Sequence, residues 1–219
     1  MPTTDQYKTI AAPTIGEYKE KGSKFIAYAF PAYNEKDWQT ALETVKKEHF
    51  KARHHCFAYR LGLDKNNYRA NDDGEPSGSA GRPILGQLDS FGLTNAFVVV
   101  VRYFGGTKLG VSGLIQAYRA ATADALQQAQ IIEKTVEDLY QLTFDYALMS
   151  RVMNTIKKLN LEIVAQNFDA IGKITIAIPQ SAVAGQMRHI KAGIAAIRIE
   201  EVENLKQVDG LKIDYLQTR

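Results

Sequence analysis

Cysteine is nearly absent from this sequence, and so are long apolar segments. Among 219 residues there is one cysteine, Cys56, which excludes an internal disulfide and a paired-cysteine zinc site and favours a reducing compartment. The most continuous apolar run, Ala96–Val101, is far shorter than the roughly 18 residues that span a bilayer. The first residues lack the apolar core of a signal peptide. We therefore expect a soluble, cytoplasmic protein that has no membrane partner.

A strong net charge is also missing. The chain has 27 lysines and arginines against 24 aspartates and glutamates, a formal charge of +3. An excess this small permits RNA or another acidic partner but does not require one. Residues 135–219 contain ten basic and ten acidic residues, so the whole excess lies in the first 134 residues. Hydrophobic residues make up 45% of the chain, which is enough for a real core and excludes disorder for most of its length.

Hydrophobic periodicity predicts the elements of the first 134 residues. It predicts strands at Lys24–Phe30, His55–Leu63, Asn67–Ala70 and Ala96–Phe104, and helices at Glu35–His49, Ile84–Gly92 and Ser112–Gln130. Asn34 is the expected N-cap of the first helix, and Asp64–Asn67 supply a turn. The polar segment Met1–Gly22 is expected to begin as a frayed arm. The continuous apolar pattern of Ala96–Phe104 predicts an inner strand of a mixed sheet, buried on both faces.

The rest of the chain predicts a second domain of mixed α and β structure. Its strands are expected at Thr135–Tyr146, Leu161–Phe168, Lys173–Pro179 and Ala196–Val202, and its helices at Leu148–Leu159 and Gln180–Gly193. That order is βαββαβ, the plan of a ferredoxin-like domain. We place the boundary near Glu133–Thr135, which gives an α+β protein with domains at residues 1–134 and 135–219.

An acidic, glycine-rich loop is predicted over Asn71–Pro83. Its candidate binding residues are Asp72, Asp73, Gly74, Glu75, Ser77 and Arg82. Three carboxylates within four positions are the kind of ligands that Mg²⁺ prefers, although their spacing does not match a calcium-binding EF-hand loop. Aspartate and glycine are equally typical of ordinary turns, so the pattern leaves both interpretations open. The length of the loop favours a functional use.

A second glycine-rich segment lies between the buried strand and the helix that follows it. Its candidate binding residues are Arg102, Tyr103, Phe104, Gly105, Gly106, Lys108 and Gly110. Backbone N–H groups at a helix N-terminus attract anions, and aromatic rings offer stacking faces to bases. A Walker phosphate-binding loop is excluded, because Val111 stands where its lysine should be. The glycines are also compatible with close strand–helix packing and with no ligand, and alternation along the strand predicts that one of the two rings fills the core.

A third cluster, Arg53–Cys56, lies on a predicted strand that places His54 and Cys56 on one face. A cysteine and a histidine side by side are compatible with a nucleophile and its base. Buried cysteines usually serve packing, and no neighbour in the sequence depresses the thiol pKa. We therefore predict that Cys56 is structural.

Five sequence motifs together resemble the Impact family of YigZ-like proteins. They are Lys21–Ile26, His54–Tyr59, Asp72–Gly78, Ala80–Pro83 and Arg102–Gly106 with Leu109–Gly110. The resemblance spans about residues 17–130, and the second half resembles more weakly the C-terminal domain of bacterial members. Ser79, His55 and Ser112 stand where the family usually or often has Thr, Asn and Gly. The serine at 112 favours an N-cap for the helix that begins there.

The resemblance implies a fold and a class of function. It implies a left-handed βαβ N-terminal domain similar to domain IV of elongation factor G, followed by a domain similar to domain V. Eukaryotic members of the family regulate translation by binding the activator of a stress kinase. The first functional hypothesis is therefore a non-catalytic, translation-associated module that binds RNA, the ribosome or a translation-regulatory protein, with no cofactor and no metal.

Two alternatives remain open at the level of sequence. One is a metal-dependent hydrolase of a phosphate-containing substrate, in which Asp72, Asp73 and Glu75 hold the metal and His54 is the acid/base. The other is a protein-interaction adaptor with the acidic loop as its docking surface. A concave pocket that joins the acidic loop, the glycine-rich turn and His54 would favour the enzyme, and an open face would favour binding.

Overall fold

The structure is a computed structural model that describes residues 5–63, 66–205 and 207–219. The predicted turn at Asp64–Asn67 begins outside these residues. The chain divides into two compact units: Tyr7–Lys134, and Thr135–Arg219 together with Asp5 and Gln6. Over the described ranges, no helix is long and apolar enough to cross a membrane.

The first unit contains a five-stranded sheet and three helices. In chain order its elements are β1 (Gln6–Ile10), β2 (Thr14–Glu20), β3 (Ser23–Pro31), α1 (Glu35–Glu48), β4 (His54–Leu61), β5 (Asn67–Asn71), α2 (Gly81–Ser90), β6 (Ala96–Tyr103), α3 (Gly110–Gln127) and β7 (Ile131–Thr135). The sheet has the order β2-β3-β6-β4-β5, and β1 pairs with β7 in a separate two-stranded sheet.

Strand β6 is the centre of the five-stranded sheet, as its continuous apolar sequence predicts. Its residues Ala96–Arg102 are all buried. Every neighbouring pair of strands is antiparallel, so the prediction of a mixed sheet is wrong. The reason is that β6 inserts between β3 and β4, which keeps those two parallel strands apart and leaves each paired with an antiparallel neighbour. The left-handed sense of the β3-α1-β4 crossover stays a prediction.

Helical periodicity places the cores on the two faces of this sheet. The predicted inner face of α3 (Leu114, Tyr118, Ala121 and Ala125) is buried in one cluster with residues of α2 and the sheet. On the opposite face, Trp38 and Val45 of α1 pack in a second cluster with Phe97. Asn34 Oδ1 accepts the backbone N–H of Asp37 at 3.1 Å, which confirms the predicted N-cap of α1.

Of two predictions for the edges of this unit, one is wrong and one begins outside the described residues. The frayed start expected for Met1–Gly22 falls on residues before Asp5, and from Gln6 onward the chain forms β1 and β2, with Ile10 fully buried. These strands are polar because one side of each faces solvent. Ser112 does not cap α3: the helix begins two residues earlier at Gly110, whose φ of +72° suits glycine, and no side chain caps it.

The second unit has the predicted βαββαβ order. It contains β8 (Glu137–Phe144), α4 (Met149–Lys158), β9 (Glu162–Phe168), β10 (Gly172–Pro179), α5 (Val183–Ala195) and β11 (Leu211–Thr218). The strands form an antiparallel sheet in the order β11-β8-β10-β9. The predicted last strand at Ala196–Val202 is wrong, because a 3₁₀-helix occupies Ile199–Asn204 and Arg198 and Glu201 form a capping box there. The last strand follows at β11, whose Leu211 and Ile213 face the core.

Candidate functional site

The first carboxylate of the acidic loop caps helix α2. One oxygen of Asp72 accepts the backbone N–H groups of Ala80 and Gly81 at 2.9 and 2.8 Å, and the other accepts that of Gly78 at 2.8 Å. Burial raises the pKa of Asp72, but these three N–H groups outweigh it and hold the pKa below its usual value. The helix N-terminus is thus already occupied by an anion from the chain itself.

The second carboxylate fixes the loop against strand β4. Asp73 Oδ2 accepts the backbone N–H of His55 at 2.6 Å, and the Asp73 carbonyl lies 2.8 Å from His54 Nδ1. Gly74 follows beside the His54 ring, and Ser77 is exposed farther along the loop. His54 therefore has an anchoring contact to the loop backbone.

The third carboxylate lies in a buried polar network. Glu75 accepts Arg102 Nη1 at 2.6 Å and the Tyr118 hydroxyl at 2.8 Å. Cys56 Sγ lies 3.0 Å from the Asp72 carbonyl oxygen and 3.3 Å from the Tyr118 hydroxyl oxygen, and its single thiol proton is shared between these two acceptors. Burial strongly raises the pKa of both Cys56 and Tyr118, so both stay protonated and neutral. This environment is that of a structural cysteine.

The three carboxylates therefore bind three different sets of protein donors. In the described part of the chain, no three His, Cys, Asp or Glu side chains are grouped as metal ligands. The metal-dependent hydrolase requires Asp72, Asp73 and Glu75 to converge on one ion, and they diverge instead. The geometry supports a structural role for the acidic loop.

Arg102 occupies an unexpected place. It is buried, ion-paired with Glu75, and its guanidinium carbon lies 5.5 Å from the ring centre of Phe25 and 5.6 Å from that of Phe104. Among the described residues its Nε has no hydrogen-bond partner. A direct contact between Arg102 and an external anion, as the sequence suggested, does not fit this burial. Arg102 instead supports the ring of Phe104 from within.

The turn between β6 and α3 (residues 104–109), here called the β6–α3 turn, is exposed. Phe104 is 59% exposed, whereas Tyr103 packs on the core and its hydroxyl lies 2.9 Å from His49 Nδ1. The two rings thus divide as strand alternation predicts. Gly105 lies against Gly22 of the β2–β3 hairpin so closely that a Cβ would come within 1.8 Å of the Gly22 carbonyl carbon, so any side chain there would force the two turns apart. Gly106 and Lys108 are exposed beyond it.

One lysine lies in the β6–α3 turn and another in the adjacent hairpin. Lys108 and Lys21, which lies at the tip of the β2–β3 hairpin, are exposed and have no ion-pair partner in the described ranges. A cavity of about 210 Å³ at this place is lined by Lys21, Leu109 and Ser112, and also by the acidic Glu20. Sequence reasoning missed Lys21 as a site residue, because only folding of the hairpin brings it to the start of α3.

Arg82 lies elsewhere, in a groove between α2 and α3. The groove has a volume of about 360 Å³ and is lined also by Arg119, which sequence reasoning did not single out. His54, Asp72 and Glu75 line neither this groove nor the cavity beside Lys21. The arrangement therefore offers separate basic surfaces, which favours binding over hydrolysis by the criterion of a shared pocket.

Similarity to known proteins agrees with these motifs. The Impact N-terminal domain model matches residues 21–126. An IMPACT family member from Haemophilus influenzae is 30% identical over 202 residues, which cover 90% of this chain and 98% of the relative. The chain belongs to the IMPACT family. The IMPACT family member YigZ from Escherichia coli is 34% identical over 176 residues, covering 80% of this chain and 86% of YigZ.

The family likeness extends to three dimensions. A crystal structure described as that of a hypothetical protein matches with a TM-score of 0.66 and 28% identity. The match covers 97% of this chain and 98% of that chain. The similarity therefore covers nearly the whole length of both chains.

Proposed function

We propose that this IMPACT family member is a non-catalytic, translation-associated module that binds single-stranded RNA, free or on the ribosome, through the β6–α3 turn and the adjacent β2–β3 hairpin. Membership of the family supports the link to translation, since the resemblance described above implies that eukaryotic members regulate it. The exposed Phe104 ring is the observation that carries the choice of RNA.

Phe104 has the properties of a stacking platform. The Phe104 ring is 59% exposed, so its face is open to a base. The Arg102 guanidinium lies over the ring, and Glu75 holds that guanidinium in position. A ring fixed in this way loses little conformational freedom when a base stacks on it. Stacking is tolerant of sequence, because every base has a π-face.

The electrostatic surroundings suit a phosphate backbone. Lys108 and Lys21 are exposed cations without carboxylate partners among the described residues. Lys108 follows Phe104 in the same turn, and Lys21 lies at the tip of the adjacent β2–β3 hairpin. The uncapped N-terminus of α3 adds backbone N–H groups to the same surface. The excess positive charge of the chain also lies within residues 1–134.

The proposal is tested by fluorescence anisotropy of a labelled single-stranded RNA oligonucleotide. Phe104→Ala should weaken binding about tenfold, because one stacked base contributes roughly 1–3 kcal/mol. Lys108→Ala should weaken binding and flatten the slope of log affinity against log salt by about one. Thermal melts of both variants check that the fold is retained.

Phe50→Ala is the matched control. Phe50 is also exposed, at 74%, and Lys51 lies over its ring at 5.7 Å, so it reproduces an exposed ring beside a cation outside the β6–α3 turn itself. Its affinity should equal that of the wild type. Equal RNA affinity in wild type, Phe104→Ala and Lys108→Ala would contradict the proposal.

A further inference from the structure

The groove between α2 and α3 is lined by two arginines. Arg82 projects from the first turn of α2, and Arg119 from the middle of α3. Both are exposed, and within the described residues neither makes an ion pair or a side-chain hydrogen bond. No carboxylate is among the described residues that line the groove. Two arginines that line one concave space favour the binding of an anion there.

A glycine keeps this groove open. Gly86 is in the interior of α2, where glycine destabilises a helix relative to alanine. Glycines in helices often permit close packing, but a Cβ at Gly86 would meet no atom within 4 Å. Packing therefore does not explain this glycine. Since Gly86 lines the groove, any larger side chain would extend into the space between Arg82 and Arg119.

The Asp72 carboxylate, which interacts with Arg82, is already hydrogen-bonded within the chain. Asp72 is close enough to Arg82 for the guanidinium to contribute to its lowered pKa, but the two groups form no ion pair. Its two oxygens accept the backbone N–H groups of Gly78, Ala80 and Gly81. The fork of N–H donors on Arg82 is therefore free for a ligand with several oxygens.

We propose that the α2–α3 groove is a binding site for a phosphate group, held by Arg82 and Arg119 together. Arginine matches the geometry of phosphate oxygens through paired hydrogen bonds. The groove volume of about 360 Å³ accommodates a phosphate together with part of the molecule that carries it. The groove shares no lining residue with the β6–α3 turn, so this proposal stands independently of RNA stacking on Phe104.

The test measures binding of inorganic phosphate to the full chain by ³¹P NMR and by calorimetry. Arg119→Gln should weaken phosphate binding about tenfold, the expected loss of a charge-assisted contact. Gly86→Leu keeps both arginines, fills the groove and adds a better helix former, so it should lose phosphate binding while its melting temperature stays the same or rises. Arg53→Gln removes an exposed arginine that does not line the groove and should bind phosphate like the wild type.

A competition arm identifies the source of the phosphate group. Displacement of inorganic phosphate by a nucleoside monophosphate indicates a free phosphate ester, and displacement by a short RNA without terminal phosphates indicates a backbone diester; either result supports the site. Absence of saturable phosphate binding to the wild type would overturn the proposal. Unchanged phosphate affinity in Arg119→Gln and Gly86→Leu would also overturn it, even if RNA binding through Phe104 is retained.

Discussion

At the scale of single residues, the central feature is the pair formed by Glu75 and Arg102. Their side chains are 4% and 8% exposed and approach to 2.6 Å. A buried ion pair contributes little net stability over an apolar pair, but the removal of one member leaves the other as an uncompensated charge in a poor solvent. The pair therefore acts chiefly by specifying where the acidic loop and Phe104 lie.

Glu75→Ala should destabilise the protein by about 3–5 kcal/mol, because it leaves the buried Arg102 charge without its ion-pair partner and removes the hydrogen-bond acceptor of the Tyr118 hydroxyl. Urea unfolding at neutral pH measures this free energy. Glu203→Ala is the control, since Glu203 pairs with Arg188 on the surface and exposed pairs contribute little. Similar unfolding free energies for the two variants would show that the buried pair does not hold the acidic loop and Phe104 in place.

At the scale of elements, the acidic loop is best understood as the start of helix α2. Asp72 lies nine residues before Gly81 in the sequence, yet its carboxylate binds the first N–H group of the helix. The loop between them is thereby closed by hydrogen bonds on both carboxylate oxygens. A local N-cap is replaced by a distant one, since Ala80 at the N-cap position has no side chain that accepts a helix N–H group.

Asp72→Asn should lower the unfolding free energy by about 1 kcal/mol at pH 7, since a charged acceptor at the helix N-terminus becomes neutral. The pKa of Asp72 is depressed in the folded state, so its stabilisation is present above the unfolded pKa and is lost as pH falls through the folded pKa. The difference from the wild type should therefore shrink below a pH of about 3.8, the ordinary value for this group.

The control for this pH dependence is Asp169→Asn, which changes an exposed carboxylate in the turn between β9 and β10. Its unfolding free energy should follow that of the wild type from neutral to acid pH. A difference between wild type and Asp72→Asn that does not change with pH would contradict the assignment of the capping charge.

The sequence predicts the helices better than the strands β1 and β2 or the contacts within the candidate site. The spacing of Trp38 and Val45 gave the buried face of α1, because helical periodicity is a local signal. Strands β1 and β2 were missed, since a strand with one solvent face and few apolar residues resembles a coil. The partner of Glu75 could not be predicted, because Arg102 is 27 residues away and meets it only through the pairing of β4 with β6.

At the scale of the whole molecule, each unit has its own hydrophobic core. Ile176 is fully buried in the core of the second unit, whereas Trp38, the one tryptophan of the chain, packs in the first. Ile176→Ala should destabilise the second unit by about 2–5 kcal/mol through loss of packing. The circular dichroism of Ile176→Ala should then show a transition at a lower temperature than that of the wild type. The midpoint of thermal unfolding followed by Trp38 fluorescence should equal that of the wild type.

Ile176→Val serves as the milder control, since it removes one methylene and should shift the early transition only slightly. If the Trp38 fluorescence midpoint falls together with the circular dichroism in Ile176→Ala, the two units unfold as one cooperative body. The measurement therefore decides whether the second unit stabilises the first.

The long-range contacts around Glu75 also order the steps of folding. Cys56 and Tyr118 are 62 residues apart and Tyr118 and Glu75 are 43 apart, so the network closes large segments of chain. Closing such segments lowers the conformational entropy of the chain. Favourable contacts offset this free-energy cost only after the central strands and α3 have assembled. Phe104 depends on Arg102, and Arg102 on Glu75, so we expect the exposed Phe104 ring to reach its place late in folding. A chain still emerging during its own synthesis would not yet present it.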